Sequence, residues 1–397
     1  MRLMNETSSL IATPLTRDFI HGAVDIEQTP AGLLPHRLPA WARAQCPDPQ
    51  LLMAASQPSG VRVVFQTAAT ALELDVLATK RVYSGLGPRP DGIYDLFIGG
   101  QLAQQGSVQG GRVLHIDMAS GATTVAEGEV QTLRFSGLPP EQKTIEIWLP
   151  HDEVTELVSL RSDAPLSPVP TAGRRRWVHH GSSISQGSNT THPSGTWPAV
   201  AALRTGFELL NLGYSGNALL DPFAARTIRA LPADLISIKI GINLVNKDLM
   251  RLRAFGPAVH GFLDTIREGH PDTPLMVMSP VFCPIHETLP GPSVYDMDAL
   301  AAGRLLFKAG GSADEVRQGK LTLSVIREQL RAIVEQRRAH DLHLHYVDGL
   351  ELYGPNDNLR LPLPDELHPD AASHRLIGER FAGLLHDLQH GAAPGAA

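Results

Sequence analysis

The sequence predicts a two-domain protein, in which an antiparallel β-sandwich precedes a doubly wound parallel α/β sheet. Short runs in which apolar and polar residues alternate with period two fill the first part of the chain. A proline-rich stretch follows, and beyond it apolar strands alternate with helical patterns. The chain of 397 residues is also longer than one hydrophobic core usually supports, which favours two domains.

The first domain is predicted over residues 1–161 and consists of half-buried strands separated by turn residues. Alternation places apolar side chains on one face of each strand and polar side chains on the other, as in antiparallel sheets. Gly99 and Gly100 fit a two-residue hairpin turn, because glycine adopts positive φ angles at little cost. We interpret this domain as a jelly-roll-like β-sandwich. Its strand candidates begin at Val61, Leu72, Tyr94, Arg112 and Thr144.

The second domain is predicted over residues 174–390, after a linker at 162–173 that is rich in proline and lacks periodicity. Apolar strands that are each followed by a helix predict a parallel sheet covered on both faces, whose sites form beyond the carboxyl ends of the strands. The terminal residues 391–397 are predicted to be disordered. The strand candidates begin at Trp177, Phe207, Asp234, Pro274 and His343, and the helix candidates span 198–204, 222–230, 255–268, 321–340 and 371–388.

Composition and charge exclude several classes of function. The formal net charge of -7 provides no basic field, so we expect no nucleic-acid partner. Cys46 and Cys283 are far apart and no metal-ligand spacing occurs, so we expect neither a metal site nor a cofactor. No run of about 18 apolar residues predicts a membrane span. The N-terminus lacks the apolar core of a secretory signal, which predicts a cytoplasmic location.

Polar residues occur where several predicted strands end. Ser183 follows the first strand of the second domain, where a sharp turn can expose a serine hydroxyl beside backbone N–H groups. Gly216 and Asn243 follow the next two strands and can donate N–H groups to an oxyanion. Asp365 and His368 lie three residues apart on the last loop and can form an oriented general base. Each residue alone fits a loop, turn or cap better, but their coincidence at strand ends favours one site.

These four motifs resemble, in the same order, the sequence blocks of the SGNH or GDSL-type hydrolases. The resemblance covers roughly residues 174 to 390 and implies a flavodoxin-like sheet. The N-terminal half resembles, more loosely, the β-sandwich of two-domain members that include carbohydrate esterases. The matching residues are Gly181-Ser182-Ser183, the "YSG" that ends at Gly216, Gly241-Ile242-Asn243 and Asp365 to Pro369.

The resemblance implies a role for each matching side chain. Ser183 takes the role of nucleophile, His368 that of general base and Asp365 that of its orienting acid. The backbone N–H groups of Ser183 and Gly216 and the side chain of Asn243 take the role of an oxyanion hole.

Two residues depart from the family pattern. Ser182 and Leu244 each stand where an aspartate is usual. Neither belongs to the triad or to the oxyanion hole, so the departures weaken the kinship with lipase-like members and leave the chemistry intact.

The predicted function is that of a serine esterase that removes short acyl groups, such as acetyl, from a carbohydrate or similar hydroxylated compound through an acyl-serine intermediate. An acyltransferase with the same triad and a catalytically silent glycan-binding protein are the alternatives. The sequence does not predict an oligomeric state.

Three further residues are candidates for contact with the substrate. Trp197 can form a wall of the acyl pocket, although packing at a helix start is the simpler interpretation. His286 and Glu287 lie on the loop after the fourth strand of the second domain, where a solvated proline-rich loop is the alternative.

Overall fold

The computed structural model describes residues 10–117 and 120–389, and it confirms the predicted order of a β-sandwich and a parallel α/β sheet. The predicted disordered tail at 391–397 lies outside the described residues. None of the helices in these two described ranges is both long and apolar enough to cross a membrane.

The first domain is a sandwich of two sheets. The first sheet has the strand order β10-β9-β6-β13-β4-β3, with β1 on β13 and β11 on β6, and the second has the order β14-β5-β12-β7-β8, with β2 on β5. Their pairs are antiparallel except for β6 with β9. The strands are β1 Ile11–Thr13, β2 Ile20–His21, β3 Asp25–Gln28, β4 Leu33–His36, β5 Arg62–Thr67, β6 Ala71–Tyr83, β7 Ile93–Ile98, β8 Gln101–Ser107, β9 Arg112–Ile116, β10 Thr123–Ala126, β11 Gln131–Ser136, β12 Lys143–Trp148, β13 Val154–Ser162 and β14 Ser167–Pro168.

Three features add to the predicted outline of this domain. The predicted hairpin turn is confirmed, because Gly99 and Gly100 join β7 to β8 with φ angles of 58° and 82°. The predicted linker at 162–173 contains the short strand β14, which pairs with β5. Two helices that the sequence analysis did not identify, α1 Ala40–Gln45 and α2 Pro49–Ser56, lie between β4 and β5.

The second domain is built on a parallel sheet with the strand order β16-β15-β17-β18-β21. This is the flavodoxin-like order, and the chain reverses direction across the sheet between β15 and β17. The strands are β15 Arg176–Gly181, β16 Glu208–Gly213, β17 Leu235–Lys239, β18 Leu275–Met278 and β21 Leu344–Val347, while β19 Ser293–Tyr295 and β20 Phe307–Ala309 form a separate hairpin.

In the described part of the second domain, five α-helices lie where the sequence predicts helices, and five short ones were not predicted. In the helix Leu323–Arg337 the side chains of Leu323, Ile326, Leu330, Ile333 and Val334 are all buried and form one apolar face. The helices are α3 Ser183–Gln186, α4 Trp197–Thr205, α5 Pro222–Ala230, α6 Ile242–Asn246, α7 Leu252–Arg267, α8 Met297–Ala301, α9 Leu323–Arg337, α10 Gly349–Leu352, α11 Pro355–Arg360 and α12 Ala371–Gln389.

The sandwich has an apolar core of its own, but part of the first domain packs into the core of the second. Leu51 of α2 and Trp148 of β12 belong to the same buried cluster as the strands of the parallel sheet. The side chain of Arg37 is completely buried and donates to the backbone carbonyl groups of Asn211 at 2.9 Å and of Gly213. Burial lowers the pKa of Arg37 to about 10. The sandwich is therefore joined to the carboxyl end of β16, where the site lies.

We expect Arg37→Met to lower the free energy of unfolding by about 3 to 5 kcal/mol, because it leaves several buried carbonyl groups without a donor. Urea unfolding measures the change. Arg134→Met is the control, because the Arg134 side chain is 68% exposed and its ion pair with Glu73 contributes about 1 kcal/mol or less. Equal losses in the two variants would contradict the buried role of Arg37.

Candidate functional site

The first residue of interest lies at the carboxyl end of β15. The strand ends at Gly181, and α3 begins at Ser183, so the turn between them is short and sharp. Ser182 is the N-cap of this helix, and its hydroxyl accepts the backbone N–H of Ile184 at 3.3 Å. Serine and aspartate are both good N-cap residues. Ser182 therefore caps the helix as an aspartate at this position would.

The structure brings Ser183, His368 and Asp365 together. His368 Nε2 lies 2.9 Å from Ser183 Oγ, and His368 Nδ1 lies 2.7 Å from Asp365 Oδ2. Ser183 is 5% exposed, so it is buried at the end of β15. These distances are what proton transfer from serine to an oriented imidazole requires.

The carboxylate of Asp365 is held by groups other than the imidazole. Its Oδ1 atom accepts the backbone N–H groups of Leu367 at 3.0 Å and His368 at 2.7 Å. Its Oδ2 atom also accepts the side-chain amide of Asn189 at 3.1 Å. Burial acts to raise the pKa of Asp365, but the hydrogen bonds from His368 outweigh it and hold the pKa below its usual value. The carboxylate is therefore ionised at neutral pH and fixed in orientation.

The loop that carries the acid and the histidine is locally strained. Glu366 has a φ angle of 67°, in the left-handed region that residues other than glycine seldom adopt. Asn189, which holds the carboxylate, also has a φ angle of 67°. Strain of this kind persists where the surroundings over-determine it, as they do at many functional sites. Here it accompanies the turn that brings His368 back towards Asp365.

The backbone N–H groups of Ser183 and Gly216 are suited to donate to an oxyanion. Within the described residues, no hydrogen bond occupies the backbone N–H of Ser183 or of Gly216. Gly216 has a φ angle of 73°, which glycine adopts without strain. The side chain of Asn243 accepts the N–H of Ala218 through Oδ1 at 3.0 Å. This bond orients the amide, so its NH₂ group is the half that can donate to an oxyanion.

We expect Asn243→Ala to lower turnover by roughly 10² to 10³, because one oxyanion donor typically contributes about 3 to 4 kcal/mol to the barrier. Steady-state kinetics on a soluble ester measure this loss, with KM changing little. Thermal unfolding of the variant is the control, since the bond from Ala218 is lost as well. Turnover within a factor of about three of wild type would remove Asn243 from the proposed hole.

A polar network holds α3 against the loop that contains Ser215 and Gly216. Gln186 Oε1 accepts the backbone N–H of Ser215 at 2.9 Å, which ties α3 to the loop that contains Gly216. His179 bonds Ser185 through Nε2 at 2.8 Å and Ser237 through Nδ1 at 2.7 Å. Burial holds the pKa of His179 well below its usual range. His179 is thus a neutral core histidine.

The sandwich contributes residues that the sequence analysis missed. Ser59 donates to the carbonyl group of Gln186 at 2.6 Å and accepts from Asn211 at 2.9 Å, so it supports α3 from the other domain. Gln50 of α2 lies over the loop that contains Gly216, since a Cβ atom at Gly216 would lie 2.5 Å from Gln50 Nε2. No local sequence pattern identifies such long-range neighbours.

The three residues predicted to contact substrate have structural partners. Trp197 is completely buried and packs edge-on against His179, with ring centroids 4.6 Å apart. His286 is also buried, and its Nε2 lies within hydrogen-bonding distance of Ser293 Oγ, at 2.6 Å. Glu287 forms a bidentate ion pair with Arg327. These contacts fit core and loop-anchoring roles. Contact of these three residues with substrate stays a prediction.

Among residues 10–117 and 120–389, no group of three or more histidine, cysteine and acidic side chains has the geometry to hold a metal ion. Cys46 and Cys283 are both free thiols.

Comparison with protein families gives two matches. Residues 180–376 match the GDSL-like lipase/acylhydrolase family. Residues 19–157 match the N-terminal domain of SsfX3. Among curated protein sequences, none is significantly similar to this chain.

Several solved structures resemble the whole chain. The salicylyl-acyltransferase SsfX3 from a tetracycline biosynthetic pathway is 28% identical, with a TM-score of 0.78, and the match covers 97% of this chain and 99% of that one. A Bacteroides ovatus protein described as a GDSL-like lipase is 18% identical, with a TM-score of 0.67 and coverage of 96% and 98%. A family two carbohydrate esterase from Clostridium thermocellum, in complex with cellohexaose, is 14% identical, with a TM-score of 0.56 and coverage of 84% and 94%. The last two likenesses concern the fold alone.

Proposed function

We propose, from the premise that the chain carries a GDSL-like lipase/acylhydrolase domain preceded by a second domain, that this protein is a serine esterase. The observation that carries the proposal is the chain of hydrogen bonds from Ser183 through His368 to Asp365, at 2.9 and 2.7 Å. The backbone N–H groups of Ser183 and Gly216 support the proposal, because no hydrogen bond within the described residues occupies them.

The proposed reaction transfers an acyl group first to Ser183 and then to water. His368 takes the proton of Ser183 as Oγ attacks the ester carbonyl carbon, and the carbonyl oxygen becomes an oxyanion in the hole. His368 then gives this proton to the leaving alcohol oxygen as the carbon–oxygen bond breaks. Water, activated by the same imidazole, attacks the acyl-serine, releases the acid and restores the hydroxyl.

The proposed substrate is an ester of a short acyl group, acetyl in the simplest case, with a carbohydrate or a similar hydroxylated compound. Release of acetate from acetylated monosaccharides by the purified full chain tests this choice. Covalent labelling of Ser183 by a fluorophosphonate tests the nucleophile independently of the substrate. A chain that neither labels nor hydrolyses any ester would instead favour the silent glycan-binding alternative.

An acyltransferase is the second candidate, and the 28% identity to SsfX3 over nearly the whole chain favours it. The two reactions share the acyl-serine and differ only in whether water or an alcohol accepts the acyl group. Incubation with an acyl donor and a competing alcohol, followed by mass spectrometry, separates them. A predominance of free acid supports the esterase, and a predominance of the new ester supports the acyltransferase.

A further inference from the structure

The hairpin of β19 and β20 carries two aromatic side chains that the sequence analysis did not single out. Tyr295 lies directly opposite Phe307 in this antiparallel pair. Directly opposed residues project to the same face of a hairpin, and the two rings lie 5.4 Å apart at a tilt of 38°. We call Tyr295 and Phe307 the aromatic pair.

The aromatic pair is fixed beside the catalytic histidine. The ring of Phe307 lies edge-on to the imidazole of His368, with centroids 5.9 Å apart. The backbone N–H of Phe307 donates to the carbonyl group of Asp365 at 3.1 Å. On the other strand, Ser293 bonds the buried His286 at 2.6 Å. Both strands of the hairpin are therefore anchored to the domain.

The exposure of the two rings differs. Tyr295 is 39% exposed, whereas Phe307 is half-buried between Tyr295 and His368. Tyr295 thus offers its ring to solvent, and Phe307 connects that ring to the histidine. Burial, with a smaller contribution from nearby Tyr83, raises the pKa of Tyr295, so its hydroxyl is neutral at physiological pH.

In the proposed mechanism, the positions of the oxyanion hole and of His368 determine which part of the ester lies next to the aromatic pair. The carbonyl oxygen points to the hole formed by Ser183, Gly216 and Asn243. The leaving oxygen must come within reach of His368 Nε2, because the imidazole returns the proton to it. The alcohol part therefore lies on the His368 side of the nucleophile, where the aromatic pair packs.

We infer that the aromatic pair binds the alcohol part of the ester and selects alcohols with a ring that stacks on Tyr295. The electron-rich face of an aromatic ring attracts the C–H groups on one face of a sugar ring and also packs against aromatic edges. A sugar ring and an aryl ring share this chemistry. The inference rests on the proposed ester chemistry at Ser183.

The test compares acetates that differ only in the alcohol part: ethyl, cyclohexylmethyl and benzyl acetate and an acetylated methyl xyloside. Ethyl cyclohexanecarboxylate, which has its ring on the acyl side, is added as a contrast. The full-length wild type, Tyr295→Leu and Tyr295→Phe are assayed, and kcat and KM are determined separately. Leu342→Ala serves as a control for surface changes. Leu342 is 80% exposed and precedes the amino end of β21, whereas the site lies at the carboxyl ends of the strands.

We expect Tyr295→Leu to lower the preference for ring-bearing acetates over ethyl acetate by about three- to tenfold, mainly through KM. Tyr295→Phe keeps the ring and should keep the preference. A loss confined to the xyloside identifies a sugar as the ring, and a loss confined to benzyl acetate identifies an aryl group. Both results support the inference.

Three outcomes overturn the inference. An unchanged preference in a folded Tyr295→Leu variant, or a loss confined to ethyl cyclohexanecarboxylate, would remove the aromatic pair from the alcohol side. A wild type that hydrolyses none of the esters and takes no fluorophosphonate label would overturn the proposed function and the inference together. Labelling by the fluorophosphonate therefore distinguishes the two failures.

Discussion

Ser183→Ala should lower turnover by about 10⁶, since it removes the atom on which the acyl group is carried. The hydrogen bond from Ser183 Oγ to His368 Nε2, at 2.9 Å, is lost with it. The oxyanion donors and the substrate contacts remain, so a residual acceleration over water of about 10³ to 10⁴ is expected. Initial rates on p-nitrophenyl acetate measure the loss of turnover. Fluorophosphonate labelling should be lost as well, because the reagent reacts with the Ser183 hydroxyl.

Ser188→Ala is the matched control for this variant. Ser188 lies five positions further along, and its hydrogen bonds to Ser183 and His374 use backbone atoms that the substitution leaves in place. We expect Ser188→Ala to label and turn over as the wild type does. A Ser183→Ala variant with wild-type turnover would refute the assignment of the nucleophile.

Asp365→Asn should lower turnover by about 10⁴ near neutral pH. The two backbone N–H groups of Leu367 and His368 bind Oδ1, so the asparagine oxygen would remain there and its NH₂ group would face His368 Nδ1. Nδ1 would then accept a hydrogen bond, and the proton of the neutral imidazole would reside on Nε2. An imidazole in this tautomer cannot take the proton of Ser183.

Kinetics and labelling of Asp365→Asn check this expectation. Asp370→Asn is the control, because Asp370 Oδ1 accepts the backbone N–H of Ser373, and an amide oxygen can do the same. A loss at Asp365 no larger than the loss at Asp370 would mean that the carboxylate does not orient the histidine.

The sequence predicts the parts of this structure whose signals are local. The parallel strands and their helices are apolar runs with clear periods, and the structure confirms them from β15 to α12. The residues proposed for the triad and the hole follow strands, and parallel strands bring their carboxyl ends to one edge. Ser183 and His368 therefore come within hydrogen-bonding distance although 185 positions separate them.

Other parts have no local signal. The strands β19 and β20 have three residues each, too short for alternation to be recognised, so the aromatic pair was not predicted. Arginine is seldom fully buried, and Arg37 is buried only because four backbone carbonyl groups from both domains surround it. Asn189 resembles any loop asparagine until the fold places it beside Asp365.

The contacts between the two domains determine the smallest part of this chain that can be transplanted or redesigned as an enzyme. A cut at residue 174 would remove Arg37 and Ser59 and leave the carboxyl end of β16 and the carbonyl group of Gln186 without their donors. A chimaera that replaces the sandwich must therefore carry residues 37–59, with α1 and α2, along with the α/β sheet. The unit to be transplanted is therefore defined by these contacts, and it includes part of the first domain as well as the second.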